Sequence, residues 1–255
     1  MPAAPAPERL KERSSVSSGL QQLRLVALNI DGVLLNDTFS PVIHHFVVSR
    51  GGRYTAEVER HVFSQPQHRA SAYLAHAVPT PMTGPQALRA YFSERDAYLR
   101  DHPVRVSDGA IDLVRRVRNL GLRTVCYGGL GREHFDRFLG PWADLFDGPG
   151  YVCTNDVRPG IREIAQDVFG LPHNRVLFID DVARVAESAR ELDVPFIGCP
   201  STFEHGFQRQ LMEEVGVRHL VKSLHAVDEA MLRVVDAEAA AGTVWAGART
   251  RCSPV

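Results

Sequence analysis

The sequence predicts an α/β protein: a Rossmann-like, doubly wound parallel sheet with an inserted α-helical cap subdomain. Three observations carry this reading. Short apolar runs recur at Leu23 to Ile30, Leu122 to Tyr127, Gly150 to Thr154, Arg175 to Asp180 and Val194 to Gly198. Runs of that length suit strands buried on both faces, as in a parallel sheet. Helix-period segments lie between them, and strand alternating with helix is the doubly wound pattern. One long interruption, from Leu35 to Arg105, has no core strand. An insert of that size after the first strand reads as a small helical subdomain over the site.

Taken in order, residues 1–22 are rich in Pro, Ala and Ser, carry Glu8 and Glu12, and lack an apolar segment. They read as a disordered tail and not as a secretory signal. The core is expected over 23–34 and 106–235, and the cap over 35–105. Within the cap, YTAEVERHVFSQPQHRASAYLAHAV and GPQALRAYFSERDAYLRDH read as helices, the first broken near Gln65-Pro66-Gln67. In the core, AIDLVRRVRNLG places Ile111, Val114, Val117 and Leu120 on one face and stops at Gly121, a helix C-terminal signal. The segments REHFDRFLG and VARVAESARELDV read as further helices. The last stretch, 236–255, reads as a frayed helix end and a loose tail, and there are no internal repeats.

Composition bounds the function. A chain of 255 residues, 44% hydrophobic, has ample material for one large core or a core domain plus an insert. Its 29 basic and 30 acidic residues give a net charge of −1, which points to neither nucleic acid nor an anionic membrane. No apolar run reaches the roughly 18 residues of a membrane span. Cys126, Cys153, Cys199 and Cys252 are scattered without metal-type spacing. Cys126 and Cys153 fall in apolar runs and read as buried thiols, so a reducing cytoplasm is the expected compartment. The expected partner is a small anionic metabolite; oligomeric state stays open.

In doubly wound sheets ligands sit at the carboxyl ends of the strands. There the sequence places Asn-Ile-Asp-Gly (Asn29 to Gly32), the run CYGGLG with Gly128 and Gly129, VRPGIREIAQ with Arg158, and LFIDD with Asp180 and Asp181. With these motifs in this order, the chain resembles the haloacid dehalogenase-like superfamily, mostly phosphate-ester hydrolases. The resemblance spans roughly Leu23 to Leu232 and includes the helical cap of that family's first cap class. It implies a nucleophilic Asp where this chain has Asn29, and a general acid at Asp31. It implies a phosphate-binding Ser or Thr where Gly128 stands, or Tyr127 if the register slips by one. It implies a phosphate-neutralising Lys where Arg158 stands. Finally, it implies an Mg²⁺ site drawing on Asn29, the Asp31 main chain, Asp180 and Asp181.

The chemistry of the residues is consistent with that list except at two positions. An amide oxygen carries no full charge, so Asn29 cannot attack phosphorus in the usual way, and losing a covalent nucleophile removes several orders of magnitude in rate. Gly128 lacks a hydroxyl, although backbone N–H groups of Gly128, Gly129 and Gly131 ahead of a helix could cradle an anion. Arg158 keeps the cation and adds a bidentate fork. Asp180 and Asp181 are hard oxygen ligands suited to Mg²⁺. Blander readings stand beside these: turn residues for Asn29 and Asp31, a helix cap for the Asp pair, a plain loop for the glycines, a solvated charge for Arg158. His44 and His45, read as neighbours on a strand, would point to opposite faces and make poor co-ligands. His45, Arg53 and Arg69 are the cap residues expected to reach a substrate. Three functions remain: a metabolite-binding or repurposed site, a phosphohydrolase using direct water attack, or a protein-interaction module.

Overall fold

The structure, a computed structural model, describes residues 19–246. Five strands form one parallel sheet: β1 (Leu25–Asn29), β2 (Arg123–Gly128), β3 (Tyr151–Cys153), β4 (Val176–Asp180) and β5 (Phe196–Gly198). Their order is β3-β2-β1-β4-β5, so β1 is central and the chain changes winding direction between β1 and β4. The crevice outside the carboxyl ends of β1 and β4 is the switch point where such sheets bind ligands. The register sets Asn29 beside Tyr127.

Every residue of β1 and β4 is buried, which explains why these strands read as unbroken apolar runs. Successive side chains go to opposite faces. Leu25 and Ala27 enter one core cluster with Val125, Tyr127 and Phe178; Val26 and Leu28 enter the other with Cys126, Leu177 and Ile179. The second cluster is closed by α5 (Ala110–Asn119), α6 (Arg132–Leu139) and α9 (Glu229–Ala241); the first is covered by α7 (Ala183–Glu191), α8 (Gln208–Val215) and the insert.

The insert is helical: α1 (Ser40–Ser49), α2 (Ala56–Val62), α3 (Gln67–His76) and α4 (Gly84–Asp101). Thr55 caps α2, and Thr83 caps α4 in a reciprocal capping box with Gln86. Each such cap contributes about 1 kcal/mol. The break between α2 and α3 falls at Phe63 to Pro66, where Ser64 adopts φ 52°. A latch ties α2 to the core. The buried Glu59 carboxylate accepts from the Tyr54 hydroxyl (2.7 Å), Phe207 N (3.0 Å) and Gln208 Nε2 (2.8 Å).

Three expectations change. His44 and His45 lie on helix α1, not on a strand: Pro41 sits in its first turn, and Val42, Ile43, Phe46 and Val47 form its buried face at helical spacing. The chain stays ordered beyond residue 235, because α9 runs to Ala241. Buried Asp236 accepts from the backbone N–H groups of Gln21, Gln22 and Leu23 (2.7, 2.9 and 2.7 Å), and Trp245 Nε1 donates to Val194 O (3.0 Å). Cys153 is exposed, since β3 is a short edge strand, while Cys126 and Cys199 are buried. Residues 1–18 and Cys252 lie outside the described residues. Among the described residues no helix is long and apolar enough to cross a membrane.

Candidate active site

The central strand delivers Asn29 to the switch point nearly buried, at 7% exposure. Its Nδ2 donates to Asp31 O (2.7 Å) and to Asp181 Oδ1 (2.8 Å). Gly32 follows with φ 86°, and a Cβ there would stand 2.0 Å from Asp181 Oδ2. Only glycine satisfies both the backbone conformation and this approach. Asn29 and Asp31 of this run line a cavity.

Strand β4 ends in Asp180 and Asp181, both buried. Asp180 Oδ1 accepts from Val182 N (2.7 Å), and its Oδ2 accepts from the Tyr127 hydroxyl. Burial pushes both carboxyl groups above the usual carboxylate range, and Asp180 beside it raises Asp181 further. The Tyr127 and Val182 hydrogen bonds and the Arg158 charge oppose that rise at Asp180. Burial, with Asp180 alongside, also raises the Tyr127 hydroxyl, which keeps it a proton-bearing donor.

Tyr127, the alternative at the end of the second strand, does not line the cavity and gives its hydroxyl to Asp180. Gly128 does not line the cavity; a Cβ on it would meet Ile30 Cγ2 at 2.5 Å, so packing explains this glycine. Its carbonyl accepts from Thr154 N (2.7 Å) and Thr154 Oγ1 (3.1 Å). Gly129 does line the cavity, and a Cβ there would fall 2.1 Å from an Arg158 guanidinium nitrogen. The glycine clears the path along which Arg158 reaches the site. Arg158 lines the cavity, and its buried Nε has no hydrogen-bond partner. Gly131, at the start of α6, is exposed and does not line the cavity.

Asp31 brings a residue that the sequence did not announce. His134 Nε2 lies 2.8 Å from Asp31 Oδ1, with both side chains largely buried. His134 sits in the first turn of α6, and nothing in its local pattern distinguishes it from a surface histidine. Only the fold brings α6 against β1.

These groups open into a cavity of about 130 Å³ between core and cap. Core residues Asn29, Asp31, Arg158, Asp180 and Asp181 line one half. Cap residues including Phe39, Phe63, Ser64, Leu74, Tyr91 and Phe92 line the other. His45, Arg53 and Arg69 do not line it; all three are exposed. The reason is helical phase. The apolar stripe of α1 turns His45 outward, α3 presents Ala70, Ser71 and Leu74 instead of Arg69, and Arg53 lies on the connection before α2.

Among the described residues no three His, Cys, Asp or Glu side chains cluster to hold a metal. The donor set still fits Mg²⁺ in part. Asp31 O and Asp181 Oδ1 converge within 2.8 Å of one atom, Asn29 Nδ2, and no described basic side chain forms an ion pair with either Asp180 or Asp181. Two buried carboxylates and a carbonyl, completed by water, suit a hard dication, provided the Asn29 amide turns its oxygen inward.

No protein-family profile matches the chain, and no curated protein matches it in sequence. Solved structures do match. A putative β-phosphoglucomutase from Bacteroides vulgatus aligns with TM-score 0.63 at 16% identity, over 87% of this chain and 91% of that one. A haloacid dehalogenase-like protein of unknown function from Agrobacterium tumefaciens aligns with TM-score 0.58 at 17% identity, over 85% and 99%. A predicted phosphoglycolate phosphatase from Haemophilus somnus aligns with TM-score 0.58 at 13% identity, over 85% and 99%. At these identities the likeness shows the fold: the chain has the α/β architecture of haloacid dehalogenase-like hydrolases, phosphatase-type proteins among them.

Proposed function

We propose that the protein binds a small phosphorylated or carboxylated metabolite, with Mg²⁺, in a haloacid dehalogenase-like pocket whose aspartyl-phosphate chemistry is lost or redirected. The observation that carries this is the state of Asn29. Its amide faces two oxygens as a hydrogen-bond donor, at the place where the resemblance puts a nucleophilic carboxylate. The residues around Asn29 support the reading. The Arg158 fork, let in by Gly129, pairs with the anionic group of the ligand. Asp31, held by His134, lies at the cavity wall as a proton donor or acceptor. Asn29, Asp31 O, Asp180 and Asp181 would hold the cation. Bound there, Mg²⁺ would polarise an anionic oxygen of the ligand and offset the two carboxylates.

Phosphate release from a panel of phosphomonoesters with Mg²⁺, wild type beside Asn29→Asp, tests the reading. We expect silence from the wild type and hydrolysis by Asn29→Asp. Asn29→Asp silent on every ester, with no ester raising the melting temperature of either protein, would overturn it. The Asp31–His134 pair favours a second reading, direct attack by a water that this pair activates. Wild-type turnover equal to that of Asn29→Asp, and lost in His134→Ala, selects it.

A further inference from the structure

The cap half of the cavity has its own chemistry, and it differs from the core half. Four aromatic rings line it: Phe39, Phe63, Tyr91 and Phe92. Phe39 and Tyr91 stack at 6.5 Å between centroids, and Tyr91 meets Phe92 edge-on at 5.3 Å. Ile43 and Leu74 continue the apolar wall. Such a surface binds by area removed from water and by ring contacts.

Ser64, Gln65, Gln67, Ser71 and Tyr91 interrupt it with polar groups, and two of these lack partners. The Ser64 Oγ and the Tyr91 hydroxyl are buried, belong to residues that line the cavity, and make no hydrogen bond. Buried polar groups are normally paired, so an unpaired one at a cavity wall points to a ligand group. Ser64 adds an independent sign. Among the described residues only Ser64 and Asp193 have positive φ without being glycine, and Ser64 is the buried one. Backbone held in a sparsely populated region tends to occur at ligand sites. Ser71, also on the wall, is already engaged with His68 O (3.2 Å). Aromatic and aliphatic side chains nonetheless make up most of the cap wall.

We infer that the cap half selects a ligand with a compact aromatic or branched apolar body that carries one hydrogen-bonding group at its far end, received by Ser64 Oγ and the Tyr91 hydroxyl. The ligand is thus an aryl or bulky-alkyl phosphate, phosphonate or carboxylate, favoured over a sugar phosphate by the four rings of the wall. The anionic end rests on the proposed function above; the apolar end stands on the cap alone.

Calorimetry on the full chain separates the two. The probes are inorganic phosphate, phenylphosphonate, (4-hydroxyphenyl)phosphonate, glucose 6-phosphate and the neutral benzyl alcohol. Phenylphosphonate should bind at least about tenfold tighter than inorganic phosphate, as burial of a ring implies. Glucose 6-phosphate should gain nothing over phosphate, and benzyl alcohol should bind unaided. The para-hydroxyl should add affinity in the wild type and add none in Ser64→Ala/Tyr91→Phe, with phosphate affinity unchanged. Glucose 6-phosphate binding tighter than phenylphosphonate would overturn the inference, as would benzyl alcohol failing to bind while phenylphosphonate merely equals phosphate. Benzyl alcohol binding while phosphate and both phosphonates gain nothing from their charge would sink the anionic reading and leave the apolar pocket standing.

Discussion

The two halves of the cavity differ in how their polar groups are satisfied. On the core side the groups satisfy one another: Asn29 bonds Asp31 and Asp181, Tyr127 bonds Asp180, and His134 bonds Asp31. On the cap side Ser64 and Tyr91 are buried without partners. Arg158 joins the second group, since its Nε is buried and unpaired although it enters from the core. A closed network resists an incoming ion, because the ion must break bonds that already exist. An open set gains from a ligand, because the desolvation of its groups is already suffered. Asn29 is what closes the core side. A carboxylate there would repel Asp181 where the amide now binds it.

Arg158 gives the largest expected effect. Arg158→Ala should weaken phenylphosphonate binding about 100-fold, the loss of one charge-assisted pair of about 2–3 kcal/mol, measured by calorimetry. Arg158→Lys should recover part of it, since the charge returns and the fork does not. An unchanged affinity in Arg158→Ala would leave the anion with no cation in the site.

Next comes the ion. Binding Mg²⁺ to the wild type requires Asn29 to release two hydrogen bonds of about 1 kcal/mol each. Asn29→Asp removes that obstacle and adds a charge, so Mg²⁺ affinity should rise at least about tenfold. Asp181→Ala should abolish binding in both backgrounds. Equal affinity in wild type and Asn29→Asp would mean that the amide turns freely, and the contrast between closed and open halves would fail on its core side.

The fold was largely legible because each strand is buried on both faces and each core helix has one apolar stripe. That Asn29, Asp31, Arg158, Asp180 and Asp181 would meet at one cavity was legible too, being tied to strand ends and turns. The cap contacts were not. His45, Arg53 and Arg69 looked suited to a ligand by residue type, but helical phase turns His45 and Arg69 outward and Arg53 sits on a loop away from the cavity, and an apolar pocket has no distinctive residue type. His134 and Ser64 depend on long-range packing and on one backbone torsion, neither written in local pattern. The α1 segment was misread because its β-branched residues hide a helical spacing.

Acidity should expose the core side in bulk stability. Burial raises Asp180 and Asp181 in the fold relative to the unfolded chain, where they titrate near 4. The folded state then holds more protons than the unfolded one above that value. Metal-free stability is therefore full below about pH 4 and falls as pH rises through the elevated folded values. Between pH 5 and pH 8 the melting temperature should drop by about 3 °C or more for each kcal/mol so lost, read by scanning fluorimetry with chelator. Buried Glu59, raised by burial as well, contributes a fall of the same sign. Mg²⁺ should reverse the Asp180 and Asp181 part alone, and Asp181→Asn should shrink that part. A melting temperature flat in pH, with and without Mg²⁺, would show that the pair stays charged at little expense.

The smallest effect on stability should come from Gly129→Ala. Its φ is ordinary, so the backbone tolerates alanine, and the Cβ would meet only the far end of the flexible Arg158 side chain at 2.1 Å. The arginine should move aside at a change in stability within the roughly 0.5 kcal/mol typical of surface substitutions, read from the melting temperature. Anion affinity should nonetheless fall about tenfold, because the guanidinium leaves its place while its charge stays nearby. This variant divides position from charge, which Arg158→Ala cannot do. Full phenylphosphonate affinity in Gly129→Ala would mean that Arg158 acts as a diffuse cation. The open half would then be defined by Ser64 and Tyr91 alone.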